Sequence, residues 1–402
     1  MSDVGLESDN RWLLPEGIDE YLPAQALRLE RLRRELLDTF YGWGYELVIP
    51  PLIEYLESLL VGAGHDLDLE TFKLIDQATG RLMGVRADMT PQVARIDAHH
   101  LKRDLPVRLC YIDAVLHTRR NGFASSRNPL QVGAELYGHA GIESDIEMLR
   151  LMVKTLRVAG LDYFHIDLGH VGIFRALARD AGLSEEQESF LFDIMQRKAM
   201  PEIEDFLAGL HLDPKHRRML TGLVTLHGGA EVLDEARSCL KQASREVRVA
   251  LDNLQQMAEA AQCQLATINL HYDLAELRGY RYQSGVVFAA FVPGFGQEIA
   301  RGGRYDEIGR LFGRARPATG FSSDLKTLLS LSPFKKEARG GILAPPWAED
   351  DELRTMIRGL RSQGERVIYS LPGVNEDAAA MECDRVLMRR DGNWTLVPSG
   401  EA

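Results

Sequence analysis

Residues 110–138 read CYIDAVLHTRRNGFASSRNPLQVGAELYG. The two ends are rich in β-branched, aromatic and other apolar residues, and the middle is basic and glycine-bearing. The pattern predicts strand, loop, strand. In the second strand Gln131 and Glu135 stand four apart, so both face one side. A buried glutamate without a partner is costly. On residue chemistry alone, Glu135 therefore lies on a polar face or is paired with an arginine. The loop between the strands brings His117, Arg119, Arg120 and Arg127 close together in sequence.

Working outward, Ala24–Phe40 predicts a helix with Leu29, Leu32, Leu36, Leu37 and Phe40 on one face. Gly42 and Gly44 end it within GWGYELVIPP (42–51), where Tyr45–Ile49 is strand-like before Pro50 and Pro51. In VRADMTP (85–91), Asp88 and Thr90 sit two apart in an extended segment. They can bind an ammonium group, or Asp88 can cap the helix that starts near Thr90 and Pro91. Ile142–Val158 is a further helix and Phe164–Leu168 a short strand. A block at about 184–262 is helical almost throughout, with Leu240, Val247, Leu251, Leu254 and Met257 on one stripe. Strands return at Thr267–His271, Val286–Val292 and Glu298–Arg301, and Thr319–Leu331 runs from strand into helix. Residues 333–340 are charged and glycine-rich and read as a linker. The remainder, 341–402, alternates strand (Gly341–Leu343), helix (Asp351–Ser362), strand (Arg366–Leu371) and a hairpin turning at Asp391 and Gly392.

Bulk properties limit the function. At 402 residues the chain exceeds ordinary single-domain size, so two or three domains are expected. A formal net charge of −12 gives no overall field for drawing in nucleic acid. The four cysteines, Cys110, Cys239, Cys263 and Cys383, show no metal-ligand spacing, so reduced thiols in a cytoplasm and no metal site are expected. The acidic, polar start is unlike a signal peptide, and no apolar run approaches the ~18 residues of a membrane span.

GWGYELVIPP, VRADMTP, the 110–138 stretch, LRGYRYQSGVVF (277–288) and ARGGRYD (300–306), in that order, resemble the catalytic domain of histidyl-tRNA synthetase, a class II aminoacyl-tRNA synthetase. The resemblance covers roughly residues 10–332. It implies an α+β fold: a class II synthetase-like antiparallel sheet flanked by helices, with the helical insertion at about 184–262 and a small C-terminal α/β unit. It also implies a histidine pocket built from Asp88, Thr90, Gln131, Glu135, Arg278 and Tyr282, with Arg304 and Tyr305 as neighbours. Asp88 stands where glutamate is usual, Arg281 where an acidic residue is usual, and Gln283 where a second tyrosine is usual. The 24–51 segment matches the family's dimer interface.

The ATP-facing positions depart from the family. An arginine for the α-phosphate is replaced by His117, and the acidic residue two positions later by Arg119. In GFSSDLKTLLSL (320–331) the glutamate–arginine pair that ends the class II pattern is Lys326 and Thr327. A neutral imidazole and a hydroxyl do not supply the fixed bidentate charge of guanidinium groups. The tail is shorter than the synthetases' anticodon-binding domain, and Met381–Asp384 and Trp394–Val397 show no basic face. This combination resembles the regulatory subunits of ATP phosphoribosyltransferase. What the resemblance implies is a non-catalytic chain without cofactor, with histidine as effector. It implies the short-form catalytic subunit as partner, a homodimer within a hetero-octamer, and no tRNA or membrane partner. No acidic strand end with a Thr/Gly loop for a phosphoribosyl pyrophosphate is found. An active histidyl-tRNA synthetase and a free-standing synthetase paralogue are the alternatives.

Overall fold

The computed structural model of the chain describes residues 12–61, 65–120, 126–264, 268–275, 282–332, 340–347, 349–373 and 377–401. The chain divides into two compact units, Met1–Phe334 and Lys335–Ala402. Among the described residues no helix is long and apolar enough to cross a membrane.

The first unit begins with α1 (Pro23–Gly42), β1 (Glu46–Leu47), β2 (Ile53–Tyr55), α2 (Leu56–Leu59), α3 (His65–Glu70), β3 (Phe72–Ile75) and β4 (Leu82–Val85). Next come α4 (Thr90–Arg95), running into a π-helical turn at Ile96–Leu101, then β5 (Val107–Ala114), β6 (Leu130–Tyr137), α5 (Ile142–Val158) and β7 (His165–His170). The helical block is α6 (Val171–Asp180), α7 (Glu185–Gln196), α8 (Met200–Gly209), α9 (Pro214–Leu223), the two-residue β8 (His227–Gly228), α10 (Glu231–Cys239) and α11 (Arg245–Gln264). The unit closes with β9 (Asn269–Asp273), β10 (Val286–Phe291), β11 (Glu298–Arg304), α12 (Ile308–Leu311), β12 (Ala318–Asp324) and α13 (Leu325–Leu331).

A nine-stranded sheet in the order β1-β5-β6-β12-β11-β10-β7-β9-β8 carries this unit, and β2, β4 and β3 form a separate three-stranded sheet. The central pairings, from β5 through to β7, are antiparallel, whereas β1 on β5 and β7 on β9 are parallel. A parallel pair cannot be closed by a tight turn. The helical block α6 to α11 is the crossover between β7 and β9.

The period-two alternation of β5 and β6 separates two cores. Cys110, Ile112, Val132, Ala134 and Leu136 join the larger core, where α1 contributes Leu32, Leu36 and Phe40 at helical spacing. Leu109, Tyr111 and Tyr137 turn to the opposite face, against Met89, Val93 and Ala94 around α4 and Tyr305, Ile308 and Phe312 around α12. The α1 helix ends through Trp43, whose N–H reaches the last carbonyls, and Gly44 takes φ +84° to redirect the chain into β1.

In the second unit β13 (Gly341–Ala344), α14 (Asp351–Ser362), β14 (Val367–Tyr369), β15 (Cys383–Arg390) and β16 (Asn393–Pro398) form a sheet ordered β14-β13-β15-β16. Ile342, Ala344, Leu353, Ile357, Val367 and Leu387 fill its core. The β15–β16 turn has positive φ at both Asp391 (50°) and Gly392 (87°), the two-residue geometry that matches strand twist. Asp350 Oδ1 caps α14 through Leu353 N at 2.9 Å, and its Oδ2 accepts from Trp394 Nε1 at 3.0 Å, tying helix to hairpin.

Candidate functional site

On the face of β6 that carries Tyr137, the same alternation aligns Gln131, Gly133 and Glu135. Glu135 is 1% exposed. Its Oε1 accepts hydrogen bonds from Tyr111 Oη and Thr90 Oγ1, both at 3.0 Å. Its Oε2 is buried and has no hydrogen-bond partner. Burial pushes the Glu135 carboxyl well above its ordinary value, and the nearby Asp88 carboxylate pushes it the same way; the two hydroxyl donors offset only part of this. Among the described residues no arginine pairs with it, so the exposed-face reading of Glu135 gives way to an interior carboxyl.

Asp88 and Thr90 divide their work at the start of α4. Asp88 Oδ1 accepts from Thr90 N at 3.1 Å, the local turn expected of a helix-capping aspartate. It also accepts from Gln131 Nε2 at 2.8 Å, while Gln131 Oε1 accepts from Met89 N at 2.9 Å. The Thr90 hydroxyl is turned to Glu135. Asp88, Thr90, Gln131 and Glu135 thus form one connected network.

An aromatic wall closes over it. Tyr282 and Tyr305 rings lie 4.9 Å apart, tilted by 32°. The hydroxyls of Tyr137, Tyr282 and Tyr305 are buried without partners. Burial raises the Tyr282 and Tyr137 hydroxyls well above their ordinary range, and the negative charge of Glu135 adds to it. The floor is glycine. Gly320 lies opposite Glu135 on β12, and a methyl group there would overlap Glu135 Oε2 and Tyr305 Oη. A Cβ on Gly133 would lie 2.5 Å from the Tyr111 ring and hydroxyl.

Arg304 and Tyr305 go separate ways, as consecutive residues of an extended segment must. The Arg304 guanidinium pairs with Asp145 at 2.9 Å and Asp306 at 3.2 Å and donates to His139 O, Gly141 O and Ser144 Oγ. It is fully engaged at the start of α5, so the expectation that it neighbours the pocket is corrected. Arg278 and Arg281 lie outside the described residues. Tyr111 and Tyr137 are members of the cluster that sequence reasoning missed. Their signal is the alternation itself, since Tyr137 continues the series 131, 133, 135.

The ATP-facing substitutions occupy a different place. His117 Nε2 lies 2.9 Å from Ala87 O, and the exposed Arg119 follows on the loop. The Arg127 guanidinium donates to His117 O at 3.1 Å and to Glu16 O at 3.1 Å, so it is bound to main chain. Thr327 Oγ1 donates to Asp324 Oδ2 at 2.7 Å, inside the cap of α13, and the Lys326 ammonium lies 5.3 Å over the Tyr21 ring. His117, Lys326 and Thr327 are thus absorbed into local structure.

The histidyl-tRNA synthetase family model matches residues 17–328. The model described as "ATP phosphoribosyltransferase subunit HisZ C-terminal domain" matches residues 339–397. A protein of Alkalilimnicola ehrlichii named ATP phosphoribosyltransferase regulatory subunit is 57% identical over 401 residues, 99% of this chain and 100% of that one. A protein of the same name from Thioalkalivibrio sulfidiphilus is 60% identical, over 97% of this chain and 99% of its own. Among solved structures, an ATP phosphoribosyltransferase regulatory subunit/histidyl-tRNA synthetase from Bacillus halodurans superposes with a TM-score of 0.82 at 28% identity, covering 94% of this chain and 97% of that chain. Histidyl-tRNA synthetase from Nostoc sp. PCC 7120 shares the fold, with a TM-score of 0.76 at 19% identity over 97% of this chain and 98% of that chain.

The upward shift at Glu135 has a stability consequence. The native state keeps the proton at pH values where the unfolded chain, near the ordinary 4.5, has lost it. The contribution of Glu135 to stability therefore falls as pH rises from there toward its folded value. Glu135→Gln keeps an acceptor for Tyr111 and Thr90 without the charge. In the absence of ligand it should stabilise the protein by roughly 1–3 kcal/mol at neutral pH, with a gain that shrinks toward pH 4.5. Denaturant melts of both proteins across that range check this; a variant less stable at neutral pH would contradict it. By full-length similarity, and by the domain at its C-terminal end, the chain belongs to the family of ATP phosphoribosyltransferase regulatory subunits.

Proposed function

We propose that this regulatory subunit, working in the cytoplasm, senses histidine in the cluster around Glu135 and transmits it to a short-form ATP phosphoribosyltransferase catalytic subunit. The chain itself is a pseudo-synthetase and not the catalytic subunit. The observation that carries the reading is a buried carboxylate whose neighbouring charge is another anion, ringed by unpartnered tyrosine hydroxyls. In the free protein such a group is favoured in its neutral form, and a cation with N–H donors is the partner that suits its charged form. Histidine supplies an α-ammonium and an imidazole that becomes cationic near neutrality. Asp88, Thr90 and Gln131 stand together as acceptors for the ammonium. Glu135 and Tyr282 suit the ring, with Tyr305 completing the wall. Arg278 remains our candidate for the carboxylate.

A cation bound beside Glu135 lowers its proton affinity, so a proton held there passes to the neutral ring or to solvent. The groups facing Glu135 are Asp88, Tyr111, Tyr137, Tyr282 and Tyr305. Burial raises the Tyr111, Tyr137 and Tyr282 hydroxyls well above their ordinary range. Calorimetry in buffers of differing ionisation heat should show that the wild type and Glu135→Gln differ in the protons exchanged on binding, since only the wild type has a carboxyl there to give one up. Glu135→Gln should also weaken histidine by ~1.5–3 kcal/mol. Unchanged affinity in the variant would place the effector elsewhere.

The altered ATP-facing positions predict the second outcome. With His117 and Thr327 held in local hydrogen bonds, no guanidinium stands at either former phosphate position. The chain alone should show no histidine-dependent ATP–pyrophosphate exchange. Robust exchange at ordinary ATP concentrations would restore the synthetase alternative.

We also propose a homodimer through 24–51, within a larger assembly with the catalytic subunit. The two-residue β1 is the edge of the nine-stranded sheet, and apolar side chains cluster beside it: Tyr41 is 82% exposed and Ile49 72%, with Leu47, Leu52 and Ile53 also exposed. A twofold contact lets one such patch cover its copy. Light scattering at micromolar concentration should give a dimer that Ile49→Asp converts to monomer. A folded wild-type monomer would refute the interface.

A further inference from the structure

Three successive carbonyls beside the sheet edge are held from the pocket side. Pro50 O accepts from Arg86 Nη1 at 2.7 Å, Pro51 O from Gln92 Nε2 at 2.8 Å, and Leu52 O from Arg86 N at 3.0 Å. Proline has no N–H, so at 50 and 51 the carbonyl is the only main-chain group that can hydrogen-bond. The side chains of Ile49, Leu52 and Ile53, in the same stretch, are exposed and belong to the proposed twofold contact.

The donors flank the pocket residues at the start of α4. Arg86 stands two residues before Asp88 and Gln92 two after Thr90. Both are buried, 1% and 2% exposed. Arg86 is also held by Ala114 O at 2.8 Å and by the Asp113 carboxylate at 2.9 Å. Gln92 Nε2 donates a second time, to Glu54 Oε1 at 2.9 Å, and Arg95 of the same helix pairs with that carboxylate. Gln92 Oε1 is buried without a hydrogen-bond partner among the described residues. Turning the amide over would set that oxygen against two acceptors, Pro51 O and Glu54. The unpaired oxygen therefore comes with the two ties. A methionine would fill the same space without an orphaned acceptor. Packing alone does not call for an amide here; its two donations to 51 and 54 do.

We propose that Gln92 is a positioning residue that couples the two sites. A second copy pressed on 49–53 fixes the carbonyl of Pro51 and the carboxylate of Glu54. These fix Gln92, and Gln92 fixes the start of α4, where Asp88 and Thr90 stand. The inference rests on the pocket and the twofold contact proposed above, and adds that neither acts independently of the other. By linkage, the dimer binds histidine more tightly than the monomer, and histidine in turn favours the dimer.

Calorimetry on the full chain closes a double-mutant cycle between Ile49→Asp and Gln92→Met. The Ile49→Asp monomer should bind L-histidine about tenfold more weakly than the wild-type dimer. Gln92→Met keeps the length of the side chain and removes the donor. It should weaken histidine by a similar factor in the dimer and hardly at all in the monomer, where 49–53 has no copy to fix it. Melting curves show whether each variant is folded. Sedimentation of the wild type on dilution tests the same coupling with no change at 92: histidine should shift dissociation to lower protein concentration. A monomer that binds histidine as well as the dimer does, or dissociation unmoved by histidine, would overturn the coupling. An equal loss from Gln92→Met in both backgrounds would reduce it to a packing residue. Glu135→Gln is measured alongside. If it leaves histidine binding intact the pocket reading falls, and if Ile49→Asp stays dimeric the interface reading falls; either takes this inference with it. If both readings hold and the cycle closes without an interaction, only the role of Gln92 falls.

Discussion

A carboxylate held in the interior beside a second carboxylate is the constraint around which this face of the sheet is arranged. Glu135 can be buried only because Tyr111 and Thr90 donate to one of its oxygens and because the glycines at 133 and 320 leave room for it and for the Tyr111 ring. Those glycines sacrifice side-chain packing in the middle of a sheet, where a β-branched residue would ordinarily be favoured. The second oxygen and three tyrosine hydroxyls remain unpaired. Native interiors rarely leave four such atoms together. A stability-driven sequence would place an apolar or amide side chain at 135. On the proposed reading, the carboxylate at 135 serves a binding function that opposes stability.

The two halves of the synthetase-like centre have different fates for a physical reason. An amino-acid pocket works by acceptors and walls, and the groups proposed for one here, on strands and on α4, cooperate through shared hydrogen bonds. A triphosphate site works by guanidinium charge aimed into space. Once His117 bonds to Ala87 O and Thr327 to Asp324, the same positions stabilise their own loop and helix cap. A chain can lose catalysis in this way without loss of fold, because neither replacement leaves a buried group unsatisfied.

Much of this was legible before any coordinates. The alternation along 130–137 assigns Gln131 and Glu135 to one face, and the same period extends to Gly133 and Tyr137, which sequence reasoning did not follow. The hairpin at Asp391 and Gly392 and the bounds of α14 follow from local turn and cap chemistry. Tyr111 is harder to read, because its role depends on the register that sets it opposite Gly133. Arg304 shows the opposite failure. A basic residue in a glycine-rich segment suggests a ligand contact, but its adjacency to Tyr305 already placed the two on opposite faces. The pairing of Gly303 with Gly320 is invisible to any local pattern.

Regulation requires more than a pocket. A ligand shifts an equilibrium only by its differential affinity for the two states. A preformed, fully satisfied pocket would bind its ligand equally in any conformation that preserved it. On the proposed reading this one is costly when empty, because its buried oxygens have no partner until a ligand arrives. The groups to be satisfied come from β6, the residue after β11 and the segment before β10, and Tyr305 stands directly beside Arg304, whose ion pair with Asp145 anchors the start of α5. On the proposed reading, filling the pocket stabilises one mutual arrangement of these three segments against all others. The free energy recovered at Glu135 is thereby expressed as a preference between arrangements of the sheet and its flanking helices, the quantity an allosteric subunit must supply.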